Sequence, residues 1–333
     1  MKIGVVNEET WSFFHEVYAE LAEHHQTSLY KPKTYSFPFL NGRISRYLSH
    51  RDLMNFLRSN QVVFFEWASE LLARVSHLPK VCGIVTRLHR YEMYWWADKV
   101  NWDAVDQVIL VSKAKEREFA ARFPDQARKV VVIPEAISVE NFKFVHKPFT
   151  GDIGTLCHIS PRKRVYELVL AFYDLVNQGV DLRLHIGGGK RHSFQDYYEA
   201  LHGLVKALDL QERVIFYDNV KNAKDWYKNI DIFISNSYSE GLQVSPMEAM
   251  ATGCYCLSHH WDGADELLPE ENLFYTNQQL NAKIIAYAQL PEPERQRLRE
   301  NMRAIVCDNF DIQRIQAQIR EVIVGVGSMK EWA

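Results

Sequence analysis

The sequence predicts an α/β fold of two consecutive doubly wound units, and three observations predict it. Short β-rich runs alternate with helix-like stretches along most of the chain, the pattern of parallel sheets covered by helices. The alternation restarts near Asp152, after a stretch from Phe144 to Gly151 that carries Pro148 and Gly151 and reads as a linker. With 333 residues, 47% of them hydrophobic, the chain is long enough to bury two cores of ordinary size.

In the first half, strands are expected at Ile3 to Val6, Val62 to Phe65, Val81 to Thr86, Gln107 to Val111 and Val130 to Ile133, where Pro134 breaks the pattern. Helices are expected at Thr10 to Glu23, Ser49 to Arg58 and Ser112 to Arg122. The second series of strands runs Ile153 to Ile159, Leu182 to Ile186, Val214 to Tyr217, Ile230 to Ser235 and Tyr255 to Ser258. Its helices are Val165 to Asn177, Phe194 to Leu208 and Lys224 to Asn229, and a last helix spans Ile312 to Val324, with Gly325 as its stop. The expected division is residues 1–146, residues 147–308 and a terminal helix in 309–333, with a ligand cleft between two Rossmann-like domains.

Composition excludes several classes. A net charge of -3 argues against a nucleic-acid binder. The five cysteines, Cys82, Cys157, Cys254, Cys256 and Cys307, are odd in number and scattered, so they read as reduced thiols of a cytoplasmic protein. Met1 to Val6 reads as a first strand, not a signal peptide, and no apolar run approaches the roughly 20 residues of a membrane span.

The most informative stretch is Glu240 to Gly253, sequence EGLQVSPMEAMATG. It places Glu240 in a turn after a strand and Glu248 on the following helix, eight positions on. The amides of Gly241, Leu242, Gln243 and Val244 then lie at a helix N-terminus, a place that attracts anions. An anion between two hydrogen-bond-accepting carboxylates suits a diphosphate flanked by hydroxyl-bearing groups, that is, a nucleotide sugar.

Glu-x7-Glu followed by Ala-Met-Ala-x-Gly, with Gly263-Ala264-Asp265-Glu266 beyond it, resembles the retaining nucleotide-sugar glycosyltransferases of the GT-B fold, family 4. The resemblance is strong over about 153–276 and weak before Val81. It implies transfer of a sugar from a nucleoside diphosphate sugar to a hydroxyl of a glycan, lipid-linked glycan or small molecule, with retained anomeric configuration and no metal or other cofactor. It also implies that Glu240 contacts the donor sugar, that Glu248 binds the ribose diol and that the terminal helix crosses back to the first domain.

Other candidates follow from position. In Ser160-Pro161-Arg162-Lys163-Arg164, basic side chains between strand and helix can neutralise a diphosphate. Lys163 matches the family's phosphate lysine. His158 stands where the family has arginine, and Arg162 is placed to substitute for it. Gly188, in Gly187-Gly188-Gly189, either lets a backbone approach the nucleotide or serves an ordinary strand-to-helix turn; the P-loop pattern fails because Arg191 follows Lys190. His89, just past a strand, matches the family's histidine at the donor sugar. Arg87, Arg90 and Glu92 are weaker candidates beside it; Glu66, at the end of a strand, either meets the acceptor or serves as a cap or surface residue; and Trp95, Trp96 and Trp102 line either a sugar subsite or a core.

Two further departures from the family bear on the acceptor. The turn after the first strand, Asn7 to Trp11, is acidic and lacks glycine, and Pro134-Glu135-Ala136 replaces the common Pro-Asn-Gly. Between 24 and 51 there is no acidic residue, while Lys31, Lys33, Arg43, Arg46 and Arg51 lie among Tyr30, Tyr35, Phe37, Phe39, Leu40 and Tyr47. That mixture suits peripheral contact with an anionic membrane or a lipid-linked acceptor; the plainer alternative is a long covering loop. His259-His260-Trp261-Asp262 has no matching ligand set for a metal. A nucleotide-sugar epimerase or phosphorylase, or a non-catalytic sugar-nucleotide-binding subunit, are the competing readings.

Overall fold

The computed structural model describes residues 1–11, 14–33, 41–190 and 192–329. It forms two compact units, Met1–Glu135 together with the terminal segment from Ile312, and Ala136–Asp311. The sequence placed the divisions at 146/147 and 308/309. The first one falls earlier because the intervening residues pack on the second unit. Ile137 pairs with Asp311, Val145 N–H donates to the Thr252 carbonyl, and Arg303 donates to the Phe142 carbonyl at 2.8 Å.

The first unit is a six-stranded parallel sheet: β1 (Lys2–Val6), β2 (Gln26–Leu29), β3 (Val62–Phe65), β4 (Gly83–Leu88), β5 (Gln107–Leu110) and β6 (Val130–Val132), ordered β2-β1-β3-β4-β5-β6. Continuous burial along Val62–Phe65 is what helices on both faces of a parallel sheet demand. The terminal helix, Ile312–Gly327, buries Ile315, Ile319, Ile323 and Val326. It lies against β3, β4 and the helix His15–His24. At Gly83 a Cβ would come within 2.7 Å of Val326 Cγ1, and Arg320 donates to Glu20 at 2.7 Å.

The second unit repeats the design: β7 (Asp152–Leu156), β8 (Arg183–Gly187), β9 (Val214–Phe216), β10 (Ile232–Ser235), β11 (Tyr255–His259) and β12 (Leu273–Phe274). The order β12-β11-β10-β7-β8-β9, all parallel, reverses between β7 and β10. In doubly wound sheets ligands bind outside the strand C-termini at that reversal. Gly154 in β7 leaves room for Trp226 and Ile230, whose atoms lie 2.7 and 2.8 Å from where a Cβ would be.

Several elements differ from expectation. The edge strand β2 is polar and half exposed, and β12 has two residues, so neither carries a readable strand pattern. Helices Asn277–Gln289 and Glu292–Asn309 are too rich in polar residues to stand out. The helix expected from Ser49 begins at Asn41, and the terminal helix continues past Gly325 to Gly327. None of the five cysteines is in a disulfide. Among the described residues no helix is long and apolar enough to cross a membrane.

Candidate functional site

In the second unit, the loops that leave β7 and β10 are laced together at the point of reversal. Pro161–Lys163 forms a single 3-10 turn, and Arg164 takes a left-handed conformation, φ 50°, before the helix Val165–Asn177. Asn236 donates to the Arg164 carbonyl at 2.9 Å, Tyr238 N–H to the Arg162 carbonyl, and Arg162 Nη1 to the Ser239 carbonyl at 2.8 Å.

Glu240 closes this arrangement. Its Oε1 accepts from Lys163 Nζ at 2.6 Å and Arg162 Nη1 at 2.5 Å, and from Gln243 Nε2 at 2.8 Å. Gln243 is held by Ser235 and Ser237, and its side chain does not cap the helix that it precedes. Burial alone would push the Glu240 carboxyl up, but the Lys163 and Arg162 charges outweigh it and hold it at about 2.

The helix Val244–Thr252 starts directly after this cluster. Among the described residues the N–H groups of Gly241, Leu242, Gln243 and Val244 find no acceptor, and Pro246 has none to offer. The N-terminus therefore presents unpaired donors beside two cations, which suits an anion. Glu248, half-buried on this helix, accepts from the buried Tyr227 hydroxyl at 2.9 Å. Burial raises its carboxyl to about 7, against the opposing pull of Tyr227 and Lys224.

Gly188 has φ 142°, and a Cβ there would come within 1.8 Å of the Cys157 carbonyl oxygen. Close packing between the ends of β7 and β8 is therefore enough to require glycine. His158 is exposed two residues past β7.

The first unit holds a separate charged cluster where β3, β4 and β6 end. Arg87, buried in β4, donates to Glu66 at 3.2 Å and to Glu135 at 2.5 Å. His89 stacks on Trp67 with ring centroids 4.2 Å apart. Its Nδ1 donates to Glu135 at 2.9 Å, and its Nε2 lies 3.4 Å from the Glu66 carboxylate. Burial would lower this imidazole, but Glu135 and Glu66 raise it to about 10. Nearby Glu92 is fully buried, neither of its carboxyl oxygens has a partner among the described residues, and burial lifts it to about 7. Trp102 belongs to the core, Trp96 packs against it, and Trp95 is exposed.

Glu135 and Tyr227 are the residues that sequence reasoning did not assign. The signal for Glu135 was an acidic residue directly after the Pro134 that ends a strand; for Tyr227, a buried phenol that must find a partner. Among the described residues one His/carboxylate group lies within metal-ligating reach, Glu20, Glu23 and His24. Glu20 there is already engaged by Arg320 and Gln316. In the segment read as a membrane contact, Tyr35, Phe37, Phe39 and Leu40 lie outside the described residues.

Residues 140–305 match the family model "Glycosyl transferases group 1". Among curated proteins, the chain is 24% identical over 185 residues to the alpha-monoglucosyldiacylglycerol synthase of Streptococcus pneumoniae (strain ATCC BAA-255 / R6), covering 54% of this chain and 41% of that protein. It is 25% identical over 100 residues to the lipopolysaccharide core biosynthesis mannosyltransferase LpcC of Rhizobium leguminosarum bv. viciae, covering 30% of this chain and 28% of that protein. The chain thus spans less than half the length of these relatives. Among solved structures, Anabaena Alr3699/HepE in complex with UDP and glucose has a TM-score of 0.79 at 18% identity, covering 98% of this chain and 100% of that one. Sucrose-phosphate synthase from Thermosynechococcus elongatus has a TM-score of 0.74 at 15% identity, covering 98% of each chain. These two share the fold of paired doubly wound units.

One prediction concerns the first unit. The raised imidazole makes the His89 contribution to stability present below about 6.5, the ordinary value, and lost as pH climbs through about 10. Glu135→Gln should bring the His89 titration down toward the ordinary range, followed by NMR of the ring protons. An unchanged midpoint would mean that Glu135 does not hold the proton.

Proposed function

The chain belongs to the glycosyl transferases group 1 and has their GT-B fold, and we propose that it moves a sugar from a nucleoside diphosphate sugar to a hydroxyl acceptor with retained configuration. The observation that carries this reading is the pairing of two cations and an unpaired helix N-terminus at the sheet reversal of the second unit. Lys163, Arg162 and the amides of Gly241 to Val244 would hold the diphosphate, with His158 beside them in the loop. Glu240 would accept hydroxyls of the donor sugar and Glu248 those of the ribose. In the first unit, the resemblance makes the charged His89 a candidate contact for a sugar.

In the reaction the bond from the anomeric carbon to the diphosphate oxygen breaks and a bond to the acceptor oxygen forms on the same face. The acceptor's proton goes to the departing diphosphate. Positive charge fixed where negative charge grows is the main catalytic device, and the cations and amides supply it in this metal-independent, cofactor-free reading. Membership of the transferase family disfavours the epimerase and phosphorylase alternatives. UDP is the nucleotide to test first, since similar structures hold it.

The acceptor reading rests on the first unit. Along the helix Asn41–Arg58 the residues Arg43, Ile44, Arg46, Tyr47, His50 and Arg51 are exposed, and the acidic Asp52 lies 3.8 Å from Lys33. Such a face suits an anionic lipid surface and a lipid- or glycan-linked acceptor on a cytoplasmic, peripheral protein. Sedimentation with vesicles containing anionic lipid, but not with neutral ones, is the expected result; equal sedimentation with both would remove the charge argument.

Lys163→Ala should lower turnover by about 10²–10³, the usual effect of one electrostatic donor to a developing anion. Steady-state rates within about tenfold of wild type would place the phosphate elsewhere. Glu248 yields a pH prediction. The ribose donates to a carboxylate, and this carboxyl loses its proton near 7, so affinity for UDP-glucose should rise from pH 6 to pH 8. Calorimetry on Glu248→Gln should give weaker, pH-independent binding; a parallel pH slope in both proteins would remove Glu248 from the ribose.

A further inference from the structure

Glu240 does more in this structure than wait for a sugar. A carboxylate that only met sugar hydroxyls would keep its oxygens directed at the ligand. Here Oε1 is occupied by Lys163, Arg162 and Gln243 at 2.5–2.8 Å. The carboxylate is the counter-ion of the two cations that the diphosphate would need. The Lys163 and Glu240 side chains are 14% and 9% exposed, so water screens their pairing weakly.

We propose that Glu240 is a specificity-determining residue that weakens the binding of a bare nucleoside diphosphate relative to the nucleotide sugar, and so favours release of the product. This rests on the transferase reading and extends it.

The discrimination is electrostatic. A diphosphate that reaches Lys163 and Arg162 comes close to a fixed negative charge, and like charges repel strongly in a shielded site. A nucleotide sugar offsets that cost, because its sugar hydroxyls donate to the carboxylate in charge-assisted hydrogen bonds. The bare diphosphate left after transfer has no such hydroxyls and gains an ionisable terminal oxygen. It meets the repulsion without the compensation. In the empty protein the same carboxylate keeps Lys163 from being a buried, unpaired charge.

The test uses UDP, UDP-glucose and inorganic pyrophosphate titrated into the whole chain by calorimetry. Glu240→Gln keeps the shape and removes the charge. It should bind UDP and pyrophosphate at least about tenfold more tightly than wild type and show no such gain for UDP-glucose. Adding Lys163→Ala to Glu240→Gln should abolish the gain. Glu240→Asp keeps the charge and should bind UDP within about threefold of wild type, which separates charge from packing and stands as the check if Glu240→Gln folds poorly. UDP affinity unchanged or weakened in Glu240→Gln, or strengthened as much in Glu240→Asp, overturns the proposal. Failure of wild type and Glu240→Gln alike to bind any of the three ligands would overturn the transferase reading itself, a different result.

Discussion

One carboxylate organises the second unit's candidate site. Glu240 stands in the loop after β10 and grips Arg162 and Lys163 in the loop after β7. These strands are neighbours at the reversal of the sheet, so the grip fixes the two walls of the place where such sheets bind ligands. Asn236, Tyr238 and Arg162 add backbone ties across the same gap. Buried ion pairs contribute little net stability, because desolvation offsets most of their attraction. A cluster with two cations on one carboxylate oxygen is better explained by what it does to an arriving anion.

The first unit handles charge in another way. Arg87 and His89 are each paired with Glu66 and Glu135 in a buried cluster, where the carboxylates raise the His89 imidazole against the effect of burial. The result is a charged histidine packed on an indole. Nearby, neither carboxyl oxygen of Glu92 has a hydrogen-bond partner among the described residues. In each unit a charged cluster collects at strand C-termini, with the buried hydrophobic strands behind it.

The fold was largely legible because its signals are local. Val165, Leu168, Val169, Phe172 and Leu175 repeat at helical spacing and become the buried face of Val165–Asn177. Val62–Phe65 reads as a strand from four consecutive apolar residues and is one. The misses are segments whose burial comes from their neighbours: the half-exposed β2, the two-residue β12 and the polar helix Glu292–Asn309, of which only Arg299, Met302 and Val306 are buried. At the site, the motif singled out Glu240 and Lys163 separately. Their pairing spans 77 positions, which no local pattern encodes. The same holds for Glu135 with Arg87, 48 positions apart, and for Tyr227 with Glu248, 21 apart. Gly188 illustrates the converse. Its glycine was visible, while the reason for it, the Cys157 carbonyl against which it packs, was not.

The central claim is that the loops after β7 and β10 hold a diphosphate through Lys163, Arg162 and the helix amides. A crystal structure of the chain with a bound nucleotide sugar tests it most directly. The account predicts phosphate oxygens within hydrogen-bond distance of Lys163 Nζ and of at least one amide between Gly241 and Val244, with the ribose at Glu248. A diphosphate bound elsewhere, with Glu240 still paired to both cations, would contradict it.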